Sequence, residues 1–123
     1  SGKVSMPGIV SEPWMVLPCL DLFVMPSLNE GMPVALLEAM SCGTASIATD
    51  VGAVGEVLGG AGVLVPPGDP GRLADAILAL AGDPSIIDKT GMACRERIVG
   101  EYDTGRWAER TLRVYRQVAR TAG

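Results

Sequence analysis

Leu22-Phe23-Val24-Met25-Pro26-Ser27-Leu28-Asn29-Glu30-Gly31-Met32-Pro33-Val34-Ala35-Leu36-Leu37-Glu38-Ala39-Met40-Ser41-Cys42-Gly43 is the stretch on which the fold turns. Its first four residues are a short apolar run with no polar alternation, stopped by Pro26-Ser27, which reads as a strand covered on both faces. Pro33 to Cys42 reads as the clearest helix of the chain. Proline suits the first helical position, where no amide is needed, Ala35 to Met40 are good helix formers, and Gly43 is a C-terminal stop.

The same signals recur outward from this unit. Ser46-Ile47-Ala48-Thr49 and Gly62-Val63-Leu64-Val65 read as two more strands covered on both faces, and Val4 to Ile9 is a weaker fourth candidate broken by Pro7-Gly8. Ser11 to Cys19 reads as a helix with Ser11 as its cap and Pro13 in its first turn, ended early by Pro18. Asp69-Pro70 opens a helix to about Ala81, with Leu73, Ile77 and Leu80 on one side. Asp83-Pro84 opens another to about Val99, and the last runs from about Thr104 to Arg120. Strands alternating with helices over short loops predict an α/β fold, a Rossmann-like parallel sheet with helices on both faces. Ligands of such sheets sit beyond the C-terminal strand ends, which puts Pro26 to Pro33 first among candidate site segments.

The chain has 123 residues, one domain's worth, with a helical tail over about 84–120. Ten Lys and Arg face fourteen Asp and Glu, a net charge of −4, which argues against nucleic acid as a partner. The charge is divided: residues 1–90 hold three cations against ten acids, and residues 91–123 hold seven arginines against four acids. No apolar run reaches the roughly 20 residues of a membrane span. Histidine is absent, which removes the commonest general base and zinc ligand. Cys19, Cys42 and Cys94 are widely spaced and read as small buried residues of a reducing compartment. Met25, Met32 and Met40 read as core or loop filler.

Two carboxylates stand out in the opening stretch. Glu30 lies just before a helix N-terminus, and Glu38 would lie about 12 Å further along if every step were helical. Gly31 permits close approach of a ligand to the backbone. The amides of Gly31, Met32 and Val34 are expected to be free at the positive end of the helix dipole, a setting for phosphate or sugar. A carboxylate is the natural acceptor for paired sugar hydroxyls, because each oxygen can take a donor. The plainer readings are a solvated helix residue for Glu38 and a dipole-serving carboxylate for Glu30.

Glu30-x7-Glu38, inside Pro-Ser-x-x-Glu-Gly-x-Pro-x-x-x-x-Glu-Ala-Met-x-x-Gly, resembles the donor-site signature of retaining GT-B glycosyltransferases of the large family 4 type (glycosyl transferases group 1). The resemblance continues through Ile47 to Asp50, Val51-Gly52, Glu56, and Gly62 to Pro70, and into a tail with Trp107 and Tyr115-Arg116. It covers nearly the whole chain. It implies the C-terminal, nucleotide-sugar-binding domain of such an enzyme, truncated, transferring a hexosyl group with retention of configuration. Glu38 would accept the ribose hydroxyls of the donor. Glu30, the catalytic-position residue, would contact the hydroxyls of the transferred sugar. The amides of Gly31, Met32 and Val34 would line sugar and diphosphate, with no metal and no cofactor beyond the donor substrate. Glu56 would stand near the donor site or cap a short helix.

Two departures lie inside the match: Thr44-Ala45 stands for Thr-Pro, and Gly52-Ala53-Val54-Gly55-Glu56 for Gly-Gly-x-Pro-Glu. A larger one is that the family's donor-gripping Arg and Lys match none of Lys3, Arg72 and Lys89. The implied partners are a nucleotide-sugar donor and an N-terminal acceptor domain missing from this chain; the apolar side of the tail helix, Ala108, Leu112, Tyr115 and Ala119, would be left partly exposed in a fragment, which adds self-association as a homo-oligomer. The chain alone is expected to be inactive or weak, cytoplasmic, and peripheral at the inner membrane face as part of a full-length protein. The alternative is a non-catalytic interaction or oligomerisation domain that keeps the fold.

Overall fold

The computed structural model describes residues 3–121. A short helix α1 (Pro13–Val16) runs into a 3-10 turn over Leu17–Cys19. Then follow β1 (Leu22–Met25), α2 (Val34–Ser41), β2 (Ala45–Thr49), α3 (Val54–Leu58), β3 (Val63–Val65), α4 (Pro70–Ala81), α5 (Pro84–Glu101) and α6 (Thr104–Thr121). The three strands form one parallel sheet in the order β1-β2-β3. Leu22 to Met25 pair with Ala45 to Ala48, and Ile47 to Thr49 pair with Val63 to Val65. This is the α/β layering that the alternation of elements predicts.

Period-two alternation divides the core between the two faces of the sheet. On one face Met25 and Ala48 pack with Leu36 and Met40 of α2, Val54, Val57 and Leu58 of α3, and Cys94 of α5. On the other, Ala45, Ile47 and Val65 pack with Leu80, flanked by Leu73 and Ile77 of α4 and Ile87 of α5. Helix α5 therefore serves both layers. It crosses at the N-terminal end of β2, where a Cβ added to Gly91 would stand 2.2 Å from the Gly43 carbonyl oxygen and 3.4 Å from the Ala45 nitrogen. Two of its arginines close the ends of other helices. Arg97 donates through Nη2 to the Glu56 carbonyl at 2.8 Å, and Arg95 donates to the Ser41 carbonyl. Cations and donors at helix C-termini satisfy the last carbonyls and oppose the dipole.

Several expectations are corrected here. Val4 to Ile9 is not a strand: it is exposed, and Gly8 turns the chain at φ 74° beside Pro7. Only β2 is buried along its whole length, while Leu64 of β3 is exposed and β1 is half-buried up to Met25. In a three-stranded sheet the outer strands are edges, so an apolar run does not by itself report cover on both faces. The first helix begins at Pro13 after Glu12, and no side chain caps it, so Ser11 does not take that role. Pro33 occupies the cap position of α2 rather than its first turn. The caps at Asp69 and Asp83 are as expected: their carboxylates accept the amides of Arg72 and Ser85, each at 2.9 Å. Cys94 is buried, and desolvation raises its thiol pKa, against hydrogen bonds from Ser46 that lower it. Cys19, however, is exposed and Cys42 only half-buried. Met25 and Met40 fill core, but Met32 lies exposed on the loop.

Candidate functional site

The loops that follow the three strands, residues 26–33, 50–53 and 66–69, converge at the C-terminal edge of the sheet. Thr49, the last residue of β2, fixes the first of them. Its hydroxyl lies 2.5 Å from the Ser27 carbonyl oxygen, to which it donates, and 3.4 Å from that of Met25. The second loop is pressed against the first. Ala53 N–H donates to the Gly31 carbonyl at 3.3 Å, and Gly52, at φ 53°, approaches so closely that a Cβ there would lie 1.9 Å from the Glu30 carbonyl oxygen. The third joins through Asp50 N–H, which donates to the Val65 carbonyl at 2.8 Å.

Glu30 is half-buried in this assembly, and its Oε1 accepts a hydrogen bond from the Ser27 hydroxyl at 2.7 Å. That bond fixes one carboxylate oxygen and leaves the acceptor capacity of the other. Gly31 is exposed. A Cβ there would meet nothing within 4 Å, and its φ is not left-handed, so the fold itself does not demand glycine. What glycine supplies at this point is open space over the backbone. The amides of Gly31 and Met32 have no hydrogen-bond partner among the described residues. Val34 does not join them, contrary to expectation: its N–H donates to the Met32 carbonyl at 3.0 Å. A chain entering α2 from a buried Pro33 has no side-chain cap to offer, and this tight backbone turn takes its place.

Glu38 stands one helical turn into α2, exposed, its carboxylate unpaired among the described residues. It borders an open cleft of about 390 Å³ whose other walls are Met32, Leu37, Ser41, Ile98, Tyr102 and Trp107. The structure thus brings Glu38 together with Met32, and with the first turns of α6. Glu30 is not part of that wall. A second recess of about 270 Å³ lies at the strand ends between Pro26, Leu28, Thr49, Pro66 and Leu73. Glu56 lies exposed in the first turn of α3. The loops after the strands carry Glu30, Asp50 and Asp69 and no Lys or Arg. Among the described residues no three His, Cys, Asp or Glu side chains gather into a metal-ligand set.

Sequence reasoning did not assign Ser27, Thr49 or Gly52 their positioning roles. Ser27 lies inside the motif without a role, and Thr49 ends a strand where its hydroxyl reads as ordinary β-branched composition. Only the left-handed φ and the near contact mark Gly52.

The glycosyl transferases group 1 family model matches residues 1–83. The chain belongs to that family. It is 40% identical over 111 residues to α-maltose-1-phosphate synthase of Mycobacterium tuberculosis, covering 84% of this chain and 29% of that protein. It is 36% identical over 102 residues to the phosphatidyl-myo-inositol mannosyltransferase of Mycobacterium leprae, covering 80% and 27%. The chain thus spans less than a third of the length of these relatives. Among solved structures, sucrose-phosphate synthase from Thermosynechococcus elongatus superposes with a TM-score of 0.77 at 32% identity, over 85% of this chain and 27% of that one. The C-terminal domain of a glycosyl transferase group 1 family protein from Francisella tularensis superposes with a TM-score of 0.71 at 27% identity, over 82% and 53%. The fold is accordingly part of the C-terminal domain of a GT-B glycosyltransferase. No helix among the described residues is long and apolar enough to cross a membrane.

Proposed function

We propose that this chain is the donor-binding portion of a retaining family 4 type glycosyltransferase, and that it takes a nucleoside-diphosphate hexose. The observation that carries the reading is the pair of acceptor groups on one β1–loop–α2 unit. The unpaired Glu38 carboxylate is suited to the two ribose hydroxyls. Glu30, held by Ser27 beside the open backbone of Gly31, is suited to the hydroxyls of the transferred sugar. The amides of Gly31 and Met32 face the sugar and diphosphate at the start of α2. Relatives named for maltose-1-phosphate and mannosyl products support a hexose as the transferred group.

The reading needs no metal, since charge on the leaving diphosphate can be met by helix N-termini and basic side chains. Those side chains are absent from the three loops, so full transfer depends on groups beyond this unit, with an acceptor-binding domain as the partner. The protein works in the cytoplasm, where nucleotide sugars are the donors.

The test is an amide NMR titration of the chain with UDP-, GDP- and ADP-hexoses. One donor class should shift the Gly31 and Met32 resonances, and Glu38→Ala should weaken its binding about tenfold to a hundredfold, the worth of hydrogen bonds to a charged acceptor. Unmoved loop resonances with every donor, or unchanged affinity in Glu38→Ala, would overturn the assignment.

A further inference from the structure

Helices α2 and α3 both begin at the candidate site and both end against α5. Helix α2 carries Glu38, and the amide of Ala53, the residue before α3, holds the Gly31 carbonyl. At the far end of α2 the carbonyls of Glu38, Ala39 and Met40 accept the amides of Cys42, Thr44 and Gly43, and the Ser41 carbonyl accepts from Arg95. In α3 the carbonyls of Gly55 and Leu58 accept the amides of Gly59 and Ala61. Those of Glu56 and Val57 accept from Nη2 and Nε of Arg97, at 2.8 and 3.4 Å. Neither helix has a basic residue in its own last turn. Two arginines of α5 therefore complete the ends of the two helices whose beginnings build the site. Arg97 is the more firmly held. It is half-buried, and its guanidinium carbon lies 5.7 Å from the centre of the Tyr102 ring. Gly59 leaves the room it occupies, since a Cβ there would collide with the guanidinium.

Given the donor-binding reading above, on which this rests, we propose that Arg95 and Arg97 are positioning residues that set the Glu30 loop and Glu38 at a fixed separation. The apolar core holds both helices against the sheet through Leu36, Met40, Val54, Val57 and Leu58. Apolar contact is non-directional, however, and tolerates sliding along a helix axis. Hydrogen bonds to carbonyls are directional and fix that coordinate. Helix α3 is only five residues, about 7.5 Å, and Val57 N–H is bonded to the Ala53 carbonyl at 3.0 Å. The grip of Arg97 on Glu56 and Val57 thus reaches Ala53, and through its amide Gly31, within little more than one turn. The grip of Arg95 on Ser41 acts within one turn of Glu38.

The experiment is amide NMR of the full chain as Arg97→Gln, Arg95→Gln and, as a charge control on the same helix, Lys89→Gln. Each is followed free and titrated with uridine, guanosine and adenosine diphosphates and their hexose conjugates. In the free chain Arg97→Gln should displace the Ala53, Gly31 and Met32 resonances, and Lys89→Gln should not. Arg97→Lys keeps the charge but lacks the fork, so its resonances should fall between those of the unsubstituted chain and Arg97→Gln. It also serves where Arg97→Gln fails to fold. Arg97→Gln should weaken the hexose conjugate about tenfold, roughly the worth of one hydrogen bond to a charged acceptor, and leave the bare diphosphate unchanged. Arg95→Gln, which acts on Glu38, should weaken both ligands alike. A general loss of stability moves none of these native-state signals. Unmoved Gly31 and Met32 resonances in the Arg97 variants, or equal displacement by Lys89→Gln, overturn the proposal. So does an equal loss of both ligands in Arg97→Gln. If no diphosphate binds the unsubstituted chain, the donor reading itself falls, while the free-chain resonances still decide whether the two arginines set the loop.

Discussion

At the scale of single residues, the arrangement rests on contacts that leave no room for a side chain. Gly52 lets the loop after β2 lie on the backbone of Glu30, and its left-handed φ would strain any other residue even in open space. Gly52→Ala is therefore expected to lower stability by about 2 kcal/mol or more and to push the Glu30 segment outward. Chemical denaturation measures the first effect, and the amide shifts of Gly31 and Met32 report the second. Unchanged stability and unchanged shifts would mean that the two loops are not pressed together. The candidate residues stood out at this scale: Glu30 and Glu38 are conspicuous because their spacing sits on a strand–loop–helix. The groups that hold Glu30 were not, because Ser27 and Thr49 act through a hydroxyl and a carbonyl brought together by the sheet. No local pattern encodes that meeting.

At the scale of elements, strands and long helices announced themselves through short apolar runs and Asp-Pro starts, since those signals are local. Cover is not local. Three equally apolar runs became one buried strand and two edges, because cover depends on how many neighbours the sheet supplies. The path of α5 was likewise hidden. Its apolar residues Ile87, Cys94 and Ile98 read as one helix surface but serve opposite faces of the sheet. Gly91 marks the crossing, and the Gly43 carbonyl oxygen beside it is backbone that cannot swing aside. Gly91→Ala should cost roughly 1–3 kcal/mol by overpacking, although alanine is the better helix former. Gly100→Ala in the same helix, with open space around it, should stabilise slightly. Equal effects of the two changes in thermal unfolding would contradict the crossing.

At the scale of the whole molecule, a compact α/β body carries a basic helix at one corner, and the join is electrostatic. The Arg110 hydrogen bond and charge, with Arg97 and Arg106 adding to them, hold the Glu101 carboxyl below the usual glutamate range. A carboxyl whose pKa is lowered by folding contributes stability that is complete above its unfolded value and is lost as pH falls through the folded one. The corner between α5 and α6 should therefore hold through neutral and mildly acidic solution and loosen only below the ordinary glutamate range. Carboxyl NMR of Glu101 would follow this, and Arg110→Gln should move its midpoint upward; an unmoved midpoint would show the pair to be inert. The passage of α5 across the end of β2 also has a meaning in time. Synthesis delivers β1, α2 and β2 well before Gly91 and Cys94, so the central strand leaves the ribosome with part of its eventual cover still unmade. Until that late helix arrives, both layers lack the side chains it supplies, Ile87 on one face and Cys94 and Ile98 on the other, and the nascent chain is more exposed to proteases and its own neighbours.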